Sequence, residues 1–367
     1  MSKWKKVKLG DVCSLYQPKT IPMKELKDDM PYYVYGANGI IGKYHSYNHI
    51  DSEIAIACRG ATCGTVNITL PKSWITGNAM VAHIKRNDLF FKYLFYALSN
   101  TNMKNVITGA AQPQITRSNL KDLEFPLPPI EEQKKIAARL DAVSDLLAKQ
   151  KQLLSEQDNL IQSTFYDMFG DPIKNNKGWK IEKLGNLFSV SSGGTPDTKN
   201  KEYWENGYIS WIGSNLCQNV ILTKNDGKFI TQKGLENSSA KIISAGSVLI
   251  ALVGATIGKT ALLTFETTTN QNIAAIDVVK NDNFSSYFIF YLIQALYQEF
   301  LNIGSGKFKM ANLTFVRNLK IPIPPLELQE KFATIVKQIE SEKSKIKSAI
   351  AETQTLFNAL MAEYFEE

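Results

Sequence analysis

The chain has 367 residues, 44% of them hydrophobic, which is enough for two substantial cores and excludes a disordered or fibrous protein. No apolar stretch follows the N-terminal Met-Ser-Lys-Trp-Lys-Lys as a secretory signal requires, and the longest uncharged aromatic-aliphatic run, Phe284 to Gln298, is too short to span a bilayer and reads as a core helix. The net charge of +7 is unevenly held: residues 1–130 carry 16 basic and 9 acidic side chains and residues 171–326 carry 16 and 11, against 5 and 7 in 131–170 and 5 and 8 in 327–367. Two large basic segments suited to a polyanion thus alternate with two short acidic ones.

The first element, Trp4-Lys-Lys-Val-Lys-Leu-Gly-Asp-Val12, returns 175 residues later as Trp179-Lys-Ile-Glu-Lys-Leu-Gly-Asn-Leu187. Next comes a Gly-rich loop, Tyr35-Gly-Ala-Asn-Gly-Ile-Ile-Gly-Lys-Tyr44, set against Ser192-Gly-Gly-Thr-Pro-Asp-Thr-Lys-Asn-Lys201 of the second copy. His45 and His49 have the i, i+4 spacing of a metal pair, but they lie among turn formers with no third ligand cluster nearby and read as a surface loop. Gly60-Ala-Thr-Cys-Gly64 matches Gly254-Ala-Thr-Ile-Gly258, and Asn78 matches Asn272. The second of these loops continues as Lys259-Thr260 and stops one residue short of a phosphate-binding loop. A strand follows it where a nucleotide site needs a helix, so a tight hairpin is expected.

Two further loops, Gly109-Ala-Ala-Gln-Pro-Gln-Ile-Thr-Arg117 and Gly304-Ser-Gly-Lys-Phe-Lys-Met-Ala-Asn312, precede paired proline marks: Phe125-Pro-Leu-Pro-Pro-Ile-Glu-Glu-Gln133 and, 196 residues on, Ile321-Pro-Ile-Pro-Pro-Leu-Glu-Leu-Gln329. Each mark opens a long helix. The first has acidic Glu131 and Glu132 in its first turn, favoured by the helix dipole, and an apolar seam of Ile136, Leu140, Val143, Leu147, Leu154, Ile161 and Met168, with Gln150, Gln157 and Thr164 completing steps of four and three. Shifted by 196, the seam becomes Phe332, Val336, Ile339, Ile346, Ile350, Phe357, Leu360 and Tyr364, with Lys343 and Thr353 as polar members. Both copies are coiled-coil heptads in one register. Connectivity then predicts an antiparallel pair of helices with a basic domain at each end, related by pseudo-two-fold symmetry. The fold class is α+β: a first mixed α/β domain at 1–129, a helix at 130–170, a second domain at 171–325 and a second helix at 326–367.

Four cysteines, Cys13, Cys58, Cys63 and Cys217, show no Cys-x-x-Cys spacing, as expected of buried thiols in a reduced cytoplasmic protein. With three histidines and no Gly-x-Ser-x-Gly, a hydrolase triad is not indicated, and no metal is expected. Gly-rich loops bring backbone close to a ligand, and Lys, Asn, Gln and Thr on them can reach phosphates and base edges. The candidate DNA contacts are Lys43, Arg59, Gln112, Gln114, Arg117, Thr195, Lys199, Lys201, Lys259, Lys307 and Lys309. Framework agrees between the copies and loops differ, so two unlike readers and an asymmetric, two-part target are expected. Two other readings stand beside this one: a nucleotide-dependent enzyme using Gly254 to Thr260, and a coiled-coil assembly protein with incidental basic heads.

The chain resembles the specificity subunit of type I restriction-modification systems. The motifs that carry the resemblance are Ser192-Gly-Gly-Thr-Pro196 with Tyr203-Trp204, Tyr35-Gly-Ala-Asn-Gly39, the paired proline marks followed by Glu and Gln, and the closing segments Leu160 to Phe169 and Leu356 to Phe365. The resemblance implies a non-catalytic reader of double-stranded DNA whose two target-recognition domains each read half of a bipartite site. It implies two methyltransferase subunits and motor-nuclease subunits as partners, with S-adenosylmethionine, ATP and Mg2+ expected in those partners and none in this chain. It implies too that the helices, through Ile136, Leu140, Val143, Leu147, Leu154, Ile161, Val336, Ile339, Ile346, Ile350 and Phe357, set the spacer and dock the methyltransferases. The first domain lacks the Gly-Gly-Thr-Pro loop, which points to a different recognition class.

Overall fold

The computed structural model describes residues 4–109, 112–303 and 310–366. The chain divides into two compact units, Met1–Gln152 with Lys347–Glu367, and Leu153–Ile346. Each unit is a mixed α/β domain that takes in one half of each of two 40-residue helices, Ile130–Phe169 and Leu326–Phe365.

In the first unit the central sheet has the order Cys13–Tyr16, Ala79–Ile84, Ile54–Ala57, Val66–Ile68, antiparallel throughout. Ile54–Ala57 is buried along its whole length, as its central place between two strands requires. A smaller sheet places Tyr32–Gly36 between its antiparallel partner Gly39–Tyr44 and the parallel Trp74–Ile75. The opening repeat pairs as Lys6–Lys8 against Glu124–Pro126, which brings the chain start to the proline mark. The helix Phe91–Asn100 covers the central sheet and packs Tyr93, Leu94 and Ala97 into one core with Ile136, Leu140 and Met361 of the long helices.

The second unit repeats this plan. Its central sheet runs Ser189–Ser192, Ile273–Asp277, Val248–Ala251, Thr260–Leu263, and gains a parallel edge strand, Val220–Leu222. Its smaller sheet holds Ile209–Ile212 between Phe229–Ile230 and the parallel Thr268–Thr269, and Lys180–Lys183 pairs with Lys320–Ile323. The apolar run from Phe284 is the core helix Ser286–Ala295 with a following turn of helix, Tyr297–Leu301. Phe165, Phe169, Phe288 and Phe332 share its core.

Within each unit the long helices run antiparallel. In the first, Arg139 donates to Tyr364 Oη at 2.8 Å and Gln150 to Thr353 Oγ1 at 3.2 Å; in the second, Lys343 meets Asp158 at 2.6 Å while the rings of Phe165 and Phe332 lie 5.6 Å apart. The heptad positions Ile136, Leu140, Leu147, Ile161, Val336 and Ile339 are buried, and Val143, Leu154, Ile346, Ile350 and Phe357 are partly so. These side chains therefore shape the paired helices from within, and the residues between them form the surface.

The proline mark has a structural reason. Gln133, fully buried, accepts from Phe90 N–H at 2.8 Å and donates to the carbonyls of Asp88 and Pro128 at 2.8 and 2.7 Å. Gln329, also fully buried, repeats all three bonds with Ser285 N–H, Asn283 O and Pro324 O at 3.0, 3.3 and 2.9 Å. A buried amide with three partners is satisfied, and here it ties the start of a long helix to the start of the domain's core helix.

Candidate nucleic-acid interface

The repeated Gly-Ala-Thr-x-Gly segments are hairpin connections. Val248–Ala251 and Thr260–Leu263 pair antiparallel with Ile250 opposite Thr260, and Gly254 and Gly258 take φ of +72° and +75°, as Gly60 and Gly64 do at +83° and +95°. A strand–turn–strand leaves no helix N-terminus to cradle a phosphate, and Lys259 is tied across to Gln218 Oε1 at 2.9 Å. The nucleotide reading of Gly254 to Thr260 is set aside on this geometry.

In the first unit this hairpin meets the loop before the proline mark. Arg59 and Gln114 face each other in a β-bridge, Gly60 N–H donates to Pro113 O at 3.1 Å and Ile115 N–H to Cys58 O at 3.0 Å. Arg59, Gln112, Gln114 and Arg117 are thereby gathered on one exposed edge, with Arg117 opening the short helix Arg117–Lys121 that Thr116 caps. Lys43 stands apart on the strand Gly39–Tyr44, its ammonium 5.3 Å from the Tyr33 ring. In the second unit Val253 bridges Met310 at the corresponding place, and Ala311 N–H donates to Leu252 O at 2.8 Å. Lys307 and Lys309 lie outside the described residues.

The structural partner of the Ser192-Gly-Gly-Thr-Pro loop is not the Tyr35 loop. Ser189–Ser192 occupies the edge of its sheet that Cys13–Tyr16 occupies in the other, so Thr195 corresponds to Thr20, and the pairing made on glycine content is corrected to Gln17–Ile21. Tyr35 and Gly36 instead end the strand that matches Ile209–Ile212, each of the two having a parallel neighbour. Both threonines turn toward the loop that follows that parallel neighbour: Gly77 N–H donates to Thr20 Oγ1 at 3.2 Å, and Thr195 Oγ1 donates to Gln271 Oε1 at 2.8 Å. The residue before each threonine is latched by an indole, Trp74 to Lys19 O at 3.0 Å and Trp211 to Gly194 O at 3.1 Å. Lys199 and Lys201 are exposed on the turn beyond Thr195, where Lys201 pairs with Glu205 at 3.5 Å and Trp204 donates to Asp197 O at 3.1 Å. Thr20, Gly77 and Gln271 were missing from the sequence-based candidates, although the offset of 175, carried past Val12, puts Thr20 on Thr195.

His49 also departs from expectation. It is buried, bonded to Tyr16 Oη at 3.0 Å and to Asn48 Oδ1 at 2.6 Å, and burial pushes its pKa down. No group of acidic, histidine and cysteine side chains that could hold a metal ion occurs among the described residues. Cys13, Cys58 and Cys217 are buried free thiols, and burial pushes Cys13 and Cys217 up to about 12, far from a reactive thiolate. Among the described residues no helix is long and apolar enough to cross a membrane.

A doubled α/β frame carrying unlike polar loops defines a recognition protein of two domains. The family model for the type I restriction modification DNA specificity domain matches residues 1–156 and 176–353, and the chain belongs to that family, with two copies of the domain. It is 25% identical over 296 residues to the type I restriction enzyme MjaIX specificity subunit of Methanocaldococcus jannaschii, covering 74% of this chain and 68% of that protein. To the MjaVIII specificity subunit of the same organism it is 23% identical over 387 residues, covering 94% and 90%. The crystal structure of the type I restriction-modification S subunit from M. genitalium shares the fold at a TM-score of 0.65 and 17% identity, covering 100% of this chain and 97% of that one.

Proposed function

We propose that each domain reads one half of an asymmetric, bipartite site on double-stranded DNA and that the long helices set the unread gap between the halves. The observation that carries this reading is one frame built twice, down to Gln133 and Gln329, with different residues at its exposed loops. In this reading the chain does no chemistry, in keeping with buried, high-pKa thiols at Cys13 and Cys217. It acts in the cytoplasm and docks two methyltransferase subunits along the exposed helix faces, together with motor-nuclease subunits. S-adenosylmethionine, ATP and Mg2+ belong to those partners. Arg59, Gln112, Gln114 and Arg117 in the first domain, and Thr195, Lys199 and Lys201 in the second, are the contacts to bases and phosphates, with Lys43 and Lys259 as more distant cationic contacts.

The test is to co-express the chain with its methyltransferase and sequence the methylated DNA. A two-part motif with a fixed gap supports the reading, and a continuous motif or none refutes it. Lengthening both long helices by four residues, about 6 Å, is expected to widen the gap by one or two base pairs and leave both half-sites unchanged. An altered half-site refutes the division of labour between heads and helices.

A further inference from the structure

The two threonine loops share a frame but, apart from the threonine, not their side chains. In both domains an indole N–H holds the carbonyl before the threonine, yet the tryptophan sits on opposite sides of the ladder: Trp74 is on the parallel strand, paired with Val34, whereas Trp211 is on its neighbour, paired with Thr268. Geometry has been kept while sequence moved. The second loop also lies unusually close to its support. A Cβ on Gly193 would stand 2.0 Å from Thr269 O, and one on Gly194 would stand 2.5 Å from Ser239 Oγ, so only glycine fits at either position. The neighbouring turn is fixed to the same frame, with the rings of Trp204 and Trp211 5.3 Å apart and Lys228 5.9 Å from the Trp211 ring.

This rigid platform carries a different tip in each domain. In the first, position 77 is glycine, and a Cβ there would meet Pro18 O at 2.8 Å and Thr20 Oγ1 at 2.9 Å; Gln17 lies across it, donating to Gly77 O at 3.0 Å. In the second, the matching residue is Gln271, exposed, with one end of its amide held by Thr195 and the other end without a hydrogen-bond partner among the described residues.

We propose that Gln271 is a specificity-determining residue that reads one base pair of the second domain's half-site, and that Thr195 is its positioning residue; this rests on the DNA-reading function proposed above. A glutamine amide matches the adjacent donor and acceptor of adenine in the major groove. Fixing the amide beforehand removes part of the ordering entropy that an exposed side chain loses on binding. The first domain, with glycine at this position, reads no base there.

The experiment uses the complex assembled with its methyltransferase, and measures its affinity for the wild-type site and for every single-base-pair variant of it. Gln271→Ala is expected to lower discrimination at one base pair of one half-site by about 5- to 150-fold, the range of one bidentate contact, leaving the other half-site untouched. Thr195→Val is expected to weaken discrimination at that same base pair, and Thr195→Ser to restore it. An unchanged profile, a loss spread evenly over all sequences, or a change in the first domain's half-site overturns the proposal. A normal two-part profile that Gln271→Ala leaves unaltered defeats this inference alone, whereas a wild-type complex with no two-part profile defeats the function on which it rests.

Discussion

In the second unit the seat between core helix and long helices is aromatic: Phe165 and Phe169 from one long helix pack against Phe288 and against Phe332 from the other, with centroids 4.7 to 6.0 Å apart. At the corresponding positions of the first unit stand Met361, Phe365, Ile136 and Tyr93, and the Tyr93 hydroxyl donates to Pro126 O at 2.7 Å. One seat is filled by four packed phenyl rings, the other by a methionine, an isoleucine, one phenyl ring and a tyrosine whose polar end is satisfied. The shared requirement is a volume to be filled without voids or unpaired polar atoms, and it admits more than one solution. Backbone hydrogen bonds are kept more strictly, because a buried amide has far fewer ways to be satisfied.

The largest expected effect tests that difference in filling. Phe165→Ala is expected to destabilise the chain by about 4 kcal/mol and Met361→Ala by about 2 to 3 kcal/mol, read by chemical denaturation. Equal losses would show that the ring cluster adds nothing to the volume it fills. Next come the two glutamines. Gln133→Ala and Gln329→Ala each leave a partly buried N–H and two carbonyls without a partner, and losses of about 2 to 3 kcal/mol, equal within error, are expected in the same measurement. A clear inequality breaks the equivalence of the two joints.

A smaller effect separates the seams. Leu147 in one unit corresponds to Lys343 in the other, and both are buried. Burial pulls the Lys343 ammonium down, but Asp158 and Glu340, each 2.6 Å away, more than offset it and hold its pKa above the usual 10.5. Lys343→Ala, which leaves two carboxylates facing each other beside a cavity, is expected to lose about 1 to 2 kcal/mol, the largely exposed Asp158 limiting the effect. Lys343→Leu is expected to be neutral or slightly stabilising at neutral pH. Because the folded pKa is raised, the charge contributes fully below 10.5 and is lost as pH rises through the folded value. The advantage of the leucine variant therefore grows in alkaline unfolding, and a difference that stays flat through the alkaline range rejects the assignment. The smallest effect is electrostatic: Lys199→Ala is expected to weaken DNA binding equally for all sequences and to lower the slope of log affinity against log salt by about 0.9, in contrast to the sequence-specific loss predicted for Gln271.

Much of the framework was legible because it repeats with the periodicities that packing imposes. Ile136, Leu140, Leu147 and Ile161 recur every three or four residues, and they are buried in the paired helices. The hairpin at Gly254 to Thr260 was readable from the strand that follows it. The loops were less so. The offset between copies is 175 at Thr20 and Thr195 but 194 by the time Ile54 meets Val248, so segments between these anchors have no fixed alignment, and glycine content paired the Tyr35 loop with the wrong partner. The latch by Trp74 and Trp211 could not be found by matching letters, since the indole reaches the same carbonyl from two different strands. His49 looked solvated because turn formers surround it, while its burial comes from Tyr16, distant in sequence.

The glutamine joints have one more property. Each bonds only to main-chain atoms, Phe90 N, Asp88 O and Pro128 O in one case and Ser285 N, Asn283 O and Pro324 O in the other. A fitting that engages the polypeptide backbone alone is indifferent to which side chains grow from it. Mutational drift in a reading loop can then alter the message that is read while the mounting of its carrier keeps the same tolerance, so novelty and mechanical precision are inherited separately.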